Sequence, residues 1–516
     1  MYSQIMTGAL LGIESYLACV EADASNGMPG FEMVGMLNTE VKEAKERVRV
    51  ALKNANIHLP PVHITVNISP AHIRKNGTAY DLPIALALLI CIGTLKAEEL
   101  EGHLVVGELG LNGEVKFVNG VLPIVLQAKE KGIKVCLVPK ENEMEGGVVA
   151  GIDVIGVESL ADVLLYFETR RRNETGKFSP VRINVEALFS DEETSGPDFS
   201  EVAGQECVKR AVEIAAAGFH HILLVGTPGA GKTMIAKRIP SVLPPLSIAE
   251  SMEVTKIYSV AGLLREKESL IVKRPFCNPH HTISEQALAG GGRVPKPGMI
   301  SLAHRGVLFL DEAVHFSGPA IELLRQPMED KKVQIARAFG TYAYPADFML
   351  VAAINPCPCG YYPDRNRCIC TQQQRKKYLS KISGPILDRI DICVEAPKVE
   401  LQDLQDKKAG ESSKQIRERI ERARLVQRKR FEGTGLAFNA DMSPGQVGEF
   451  CVLGKEERTF MEKAFSSMQL SARGYHKILK VSRTIADLDG SPEIKVSHLA
   501  EAICLRSADR QDDELR

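Results

Sequence analysis

The chain is expected to fold as an α/β protein in three parts, on three observations. Residues 1–165 interleave short β-branched runs (VHITVNIS, HLVVGEL, KVCLVP) with helical stretches such as NTEVKEAKERVRVALKNA, the two periodicities of strands and amphipathic helices. Residues 200–398 alternate buried-strand runs (HILLVG, GVLFLDEA, FMLVAAIN) with helices, the pattern of a parallel sheet buried on both faces. Residues 399–516 carry no strand signal and read as amphipathic helices that form a lid. Between the first two parts, residues 166–199 contain RRRNETGKFSP and FSDEETSGPDFS. Their polar composition, rich in Gly, Ser and Pro, predicts a linker.

A length of 516 residues agrees with about three domains, because single cores rarely exceed about 250 residues. The longest apolar run, PIALALLICIGTL at 83–95, is too short to span a bilayer, so no membrane role is expected. The first residues, MYSQIMTGALLGIES, lack the basic start of a secretory signal. That points to the cytoplasm, where the twelve cysteines stay reduced and a tight cluster suggests metal rather than disulfides. A net charge of −1 gives no global support to nucleic-acid binding, which must then rest on local patches. KQIRERIERARLVQRKR (414–430), with eight Lys/Arg against two Glu, is one such patch. A solvated helix face accounts for it equally well.

The clearest chemistry lies in HILLVGTPGAGKTMIAKRI (221–239). An apolar strand leads into Gly226, Thr227, Pro228, Gly229, Ala230, Gly231, Lys232 and Thr233, and a helix follows. Glycines there let successive backbone N–H groups curl around phosphates; Lys232 reaches the outer phosphates and Thr233 binds magnesium. ATP and Mg2+ are thus the expected ligands. Seventy-nine residues after Lys232, the strand GVLFLDEA ends in Asp311 and Glu312. In an open α/β sheet, ligands gather at the C-terminal ends of the strands. Asp311 can hold the magnesium, and Glu312 can orient and deprotonate the attacking water. Asn355 ends the strand FMLVAAIN and can hold that water against the terminal phosphate.

NPCPCGYYPDRNRCIC (355–370) follows at once, a four-cysteine insert at 357–370. Cys357, Cys359, Cys368 and Cys370 offer enough soft thiolates to close a tetrahedral site, and zinc suits it. Its C-x-C spacing is tighter than the common C-x-x-C, and four reduced free cysteines are the alternative. The same loop carries Tyr361, Tyr362, Arg365 and Arg367, able to meet DNA or a neighbouring subunit.

With these residues the chain resembles the AAA+ ATPases, whose Walker A, Walker B and sensor 1 positions they match. The resemblance implies a role for ISGPILDRIDI (382–392) as the stretch with the arginine finger, Arg389, which would act on the neighbouring subunit's nucleotide. LSARGYHKILKVSRTIADL (470–488) resembles a sensor 2 helix, with Arg473 as the contact and Arg483 as runner-up. A finger acting in trans implies a ring of identical subunits.

RPFCNPHHTISEQALAGGG (274–292), GMISLAHRGVLFLDEA and SGPILDRIDI narrow the resemblance to the magnesium-chelatase-like branch. Over nearly the whole chain it is similar to the ComM/YifB family of competence-associated proteins. Cys277 stands where that family usually has a basic residue. His280 and His281 are read as structural residues beside the nucleotide, not as metal ligands. GELGLNGEVKFVNGVLPIVLQAKEKGIKVCLVP (107–139) and KNGTAYDLPIALAL (75–88) resemble Lon-type protease domains. The nucleophile's place, however, falls at Ala79 and Tyr80 and the catalytic lysine's at Leu122, with Lys75 and Lys116 only nearby, so proteolysis is not expected. The implied architecture is a Lon-protease-like α/β N-terminal domain, an AAA+ parallel-sheet ATPase core and a C-terminal helical lid.

The resemblance implies a hexameric ring that hydrolyses ATP to move on branched or single-stranded DNA. A chelatase-type motor inserting metal into a porphyrin, or a nucleotide-dependent scaffold, are the alternatives. EDKKVQIARAFGTYAYPADF (329–348) reads as a hairpin whose Lys331, Lys332 and Arg337 could meet DNA phosphates.

Overall fold

The computed structural model describes residues 1–172, 174, 178–190, 196–264, 268–337, 340–364, 366–398 and 410–507. Two sheets organise them. The first is mixed and seven-stranded, in the order β3-β4-β2-β1-β5-β8-β9. Its strands are β1 (Tyr2–Leu11), β2 (Glu14–Ser25), β3 (Gly30–Val34), β4 (His63–Ser69), β5 (His103–Val105), β8 (Val135–Pro139) and β9 (Asp153–Val157). A small hairpin of β6 (Glu108–Leu109) and β7 (Val115–Lys116) stands beside it. β1 and β2 form an antiparallel ladder from Tyr2↔Asp23 to Leu11↔Glu14, which the small residues of TGALLG and the irregular apolar pattern do not announce. Residues 83–91 of the apolar run lie in the helix Asp81–Cys91, every residue of which is buried. It is a core helix wrapped on all sides.

The second sheet is five-stranded and wholly parallel, ordered β11-β14-β17-β10-β18. These are β11 (Phe276–Cys277), β14 (Val307–Leu310), β17 (Met349–Ile354), β10 (Ile222–Gly226) and β18 (Ile392–Ala396). Two antiparallel hairpins stand apart from it, β12 (Gly290–Gly291) with β13 (Lys296–Pro297) and β15 (Lys332–Arg337) with β16 (Gly340–Pro345). β14 and β17 are buried along their whole length, as strands covered on both faces must be.

Two connections show how the parts are joined. The helix that closes the first sheet runs Leu160–Arg171, past residue 165. The following residues turn back onto that unit: Val181 and Ile183 donate to the carbonyls of Val154 and Gly147, and Ile183, Val185 and Leu188 pack on its core. The apolar residues scattered through this polar stretch are enough to dock it. The C-terminal helices pack directly on the second sheet. Ile416, Ile420, Ile478, Leu479 and Ile485 share one apolar core with Ile222, Leu224 and Val351 of the sheet. Among the described residues from 410 onward there is no strand, and no described helix is long and apolar enough to cross a membrane.

The helix Ile248–Ala261 joins the two units. Its Ser259 carbonyl accepts from Gly120 N–H at 3.1 Å, and its Ser259 hydroxyl donates to the buried Glu145 carboxylate.

Candidate nucleotide and hydrolysis site

β10 ends at Gly226, where β18 passes so close that a Cβ would lie 2.5 Å from the Ala396 carbonyl oxygen. Only glycine fits. The loop then turns through Gly229 and Gly231, both at φ +80° with open space around them, and the helix Lys232–Ala236 begins. The amine of Lys232 is buried and donates to the carbonyls of Gly226 at 2.6 Å and Thr227 at 3.0 Å. Burial pulls this ammonium below its ordinary range, against the opposite pull of Asp311 and Glu312. Thr227 Oγ1 is buried with no partner among the described residues. A left-handed glycine loop, a buried amine and an unspent hydroxyl suit a polyphosphate.

Tertiary structure brings the distant members together. Thr233 Oγ1 donates to Asp311 Oδ2 at 2.8 Å, the pair expected to share magnesium. Glu312 follows at φ +49°, a left-handed conformation costly for a non-glycine residue and frequent at functional sites. Asn355 Oδ1 accepts from Lys232 Nζ at 3.1 Å. His281 and His315 lie 6.0 Å apart by ring centroids, and His315 N–H donates to the Glu312 carbonyl at 2.8 Å. The aromatic segment of 280–281 therefore borders the acidic end of β14. Cys277 is buried in β11, and burial pushes its thiol up to about 11.

The two candidate arginines are elsewhere. β18 runs parallel to β10 with Ile222↔Ile392 and Gly226↔Ala396, and Arg389 precedes β18. At about 3.3 Å per residue, those paired strands alone separate it from the phosphate loop by roughly 13 Å. Arg389 is 7% exposed and donates to Glu329 at 2.6 Å and to the Pro385 carbonyl at 2.6 Å. Arg473 lies 3.5 Å from the same Glu329. Arg483 does not join them: it is buried against Asp487 and the carbonyls of Ser491 and Pro492.

The four cysteine sulfurs lie within 4.8 Å of one another, and three of them are 3.3 to 3.7 Å apart. A tetrahedral ion bonded to sulfur at about 2.3 Å requires edges of about 3.8 Å, so the set suits zinc. Arg365 lies outside the described residues. On the hairpin β15–β16, Lys331 is drawn into ion pairs with Asp347 and Asp441, whereas Lys332 and Arg337 are exposed. The basic helix Ser413–Arg430 spends much of its charge internally: Arg419 pairs with Glu213 and Glu411, Arg430 pairs with Asp487, and Arg424 stacks on Phe438 at 3.7 Å. In the first unit Tyr80 and Leu122 are buried, Lys75 Nζ donates to the Pro70 carbonyl, and Lys116 is exposed.

Three neighbours of the candidate site residues escaped the sequence reading. Gln205 ties the Ala230 carbonyl of the loop to that of Pro397. Glu329 gathers the two arginines, and Lys477 backs them by pairing with Asp391 at 3.2 Å. None carries a local signal, because each is defined by partners far away in the chain.

Three family models match the chain. They are described as Magnesium chelatase, subunit ChlI, over residues 198–404; Subunit ChlI of Mg-chelatase, over 20–142; and Magnesium chelatase, subunit ChlI C-terminal, over 410–506. Competence protein ComM of Haemophilus influenzae is 40% identical over 511 residues, covering 98% of this chain and 97% of its own. YifB of Escherichia coli is 40% identical over 510 residues, with the same shares. The magnesium-chelatase 38 kDa subunit of Cereibacter sphaeroides is 25% identical over 174 residues, 31% of this chain and 52% of its own.

Proposed function

The chain belongs to the ComM/YifB family of magnesium-chelatase-like AAA+ proteins, and from that premise we propose that it is an ATP-hydrolysing ring motor acting on DNA. One observation carries the motor reading. Lys232, Thr233, Asp311, Glu312 and Asn355 gather at one end of the sheet, whereas the buried Arg389 and the exposed Arg473 meet on Glu329 at the other. One subunit therefore holds two halves of different sites, and a second copy joins them.

In this reading the loop amides and Lys232 bind the phosphates. Thr233 and Asp311 would hold magnesium, which would supply charge neutralisation to the phosphates. Glu312 takes the proton of the attacking water while Asn355 orients it. Arg389 and Arg473 of the neighbouring copy stabilise charge on the transferred phosphoryl group. A hexamer would close such a heterologous contact. Zinc on Cys357, Cys359, Cys368 and Cys370 would be structural, since four thiolates leave no open position. The first unit would serve assembly or coupling, without peptidase chemistry, because a Lon-type serine–lysine pair is missing from its expected places.

DNA is chosen as the track on the resemblance to competence-associated proteins and on the exposed Lys332 and Arg337 of the hairpin. Metal insertion into a porphyrin is the weaker reading, because the chelatase subunits share 31% and 44% of this chain against 98% for the ComM relative. The deciding experiment measures ATPase turnover with single-stranded, duplex and forked DNA. Strong stimulation by a branched or single-stranded substrate is expected; equal turnover with and without every DNA would overturn the DNA assignment and leave the ATPase standing.

A further inference from the structure

Between Asn355 and Gly360 the chain touches the phosphate site twice and supplies two of the four thiols. Asn355 Oδ1 accepts from Lys232 Nζ at 3.1 Å. Five residues later Gly360, at φ +83°, lies so close to Pro228 of the phosphate loop that a Cβ would meet Pro228 Cδ at 2.5 Å and Cγ at 2.6 Å. Cys357 sits between them, fully buried, and Gly360 N–H donates to its carbonyl at 2.9 Å. On the way out, Thr371 caps the helix Gln372–Leu379 directly after Cys370. Tyr378 of that helix is buried in the same apolar cluster as Ile354, the residue before Asn355. The far end of the thiol loop is thus anchored in the core beside the start of the loop, and its first turn rests on Pro228.

We propose that this loop positions the ATP site. A metal ion held by its four thiols fixes the turn 357–360, the turn presses on Pro228, and the same rigid segment aims Asn355. Gly360 is then a positioning residue for nucleotide binding. The inference rests on the metal reading above and extends it from a structural staple to a condition for a formed phosphate loop. Thiols by themselves offer only weak S–H contacts, whereas coordination removes the freedom of the loop and couples metal binding to local order. Glycine is required twice at position 360, by its left-handed backbone and by the approach to the proline ring.

Gly360→Ala keeps every thiol but drives a methyl group into Pro228. The variant is expected to carry the wild-type metal content and circular-dichroism spectrum while its affinity for a fluorescent ATP analogue falls roughly tenfold. Gly433→Ala, at a glycine of similar φ (+77°) with nothing within 4 Å, controls for backbone strain and should bind the analogue normally. In a Pro228→Ala background, which lacks the obstructing ring atoms, Gly360→Ala should cost far less, giving a non-additive cycle. Chelating the metal from wild-type protein should reproduce the loss of affinity. Normal ATP binding by Gly360→Ala, or an equal loss in the Pro228→Ala background, would overturn the contact as the route. Normal binding by folded, metal-stripped protein would overturn the role of the metal. Wild-type protein free of metal from purification onward would defeat the underlying metal reading, which elemental analysis alone detects.

Discussion

Arg389 and Arg473, 84 positions apart in the sequence, converge on one carboxylate, that of Glu329, at 2.6 and 3.5 Å. Their convergence faces away from the phosphate loop of the same chain, since Arg389 enters β18 at the end where β10 starts. Arg389→Ala should therefore bind ATP normally but lower kcat by roughly a thousandfold. Mixing it with Lys232→Ala, itself inactive, should restore turnover at the shared interfaces. Mixed assemblies shown to form yet inactive at every ratio would count against action in trans.

Glu312→Gln leaves the Thr233–Asp311 pair intact. ATP affinity should persist while turnover falls by about 10²-fold or more, the usual loss for a removed general base. Wild-type turnover in this variant would mean that Glu312 is misassigned.

Elemental analysis of protein purified without chelator should find about one zinc per chain. Replacing Cys368 and Cys370 together by serine should remove it, since two thiolates do not hold the site.

Lys331 and Lys332 should behave differently despite adjacency. Lys332→Ala with Arg337→Ala should weaken DNA binding and flatten its salt dependence by roughly two phosphate contacts. Lys331→Ala should instead lower thermal stability, because it leaves Asp347 and Asp441 without this partner. Identical effects of the two changes on DNA binding would contradict the assignment.

His103 provides a pH test. It is buried against Tyr166, and desolvation first, then Arg170, holds its pKa down at about 4 from an ordinary 6.5. Between these values the unfolded chain binds the extra proton, so stability is full above pH 6.5 and lost progressively as pH falls to about 4. The full loss is about 3 kcal/mol. Urea midpoints followed from pH 7 to 4 should fall more steeply for wild type than for His103→Gln; parallel curves would exclude this residue as the cause.

What the sequence determined by itself is the chemistry written in contiguous stretches. The strand–loop–helix from Ile222 to Lys232, the carboxylates ending β14 and the asparagine ending β17 were legible because a parallel sheet delivers the ends of its buried strands to one edge. The four cysteines were legible as a candidate metal site because their loop is short enough to close on itself. Tertiary structure alone decided which charges are spent. Lys331 and the arginines of the helix Ser413–Arg430 look alike in sequence to Lys332, yet their partners Asp347, Asp441, Glu213 and Asp487 come from other elements. The β1–β2 ladder, the pairing of Arg389 with Glu329 and the contact of Gly360 on Pro228 share that property. Each depends on strand register or packing between separate segments, which local propensity and periodicity do not encode.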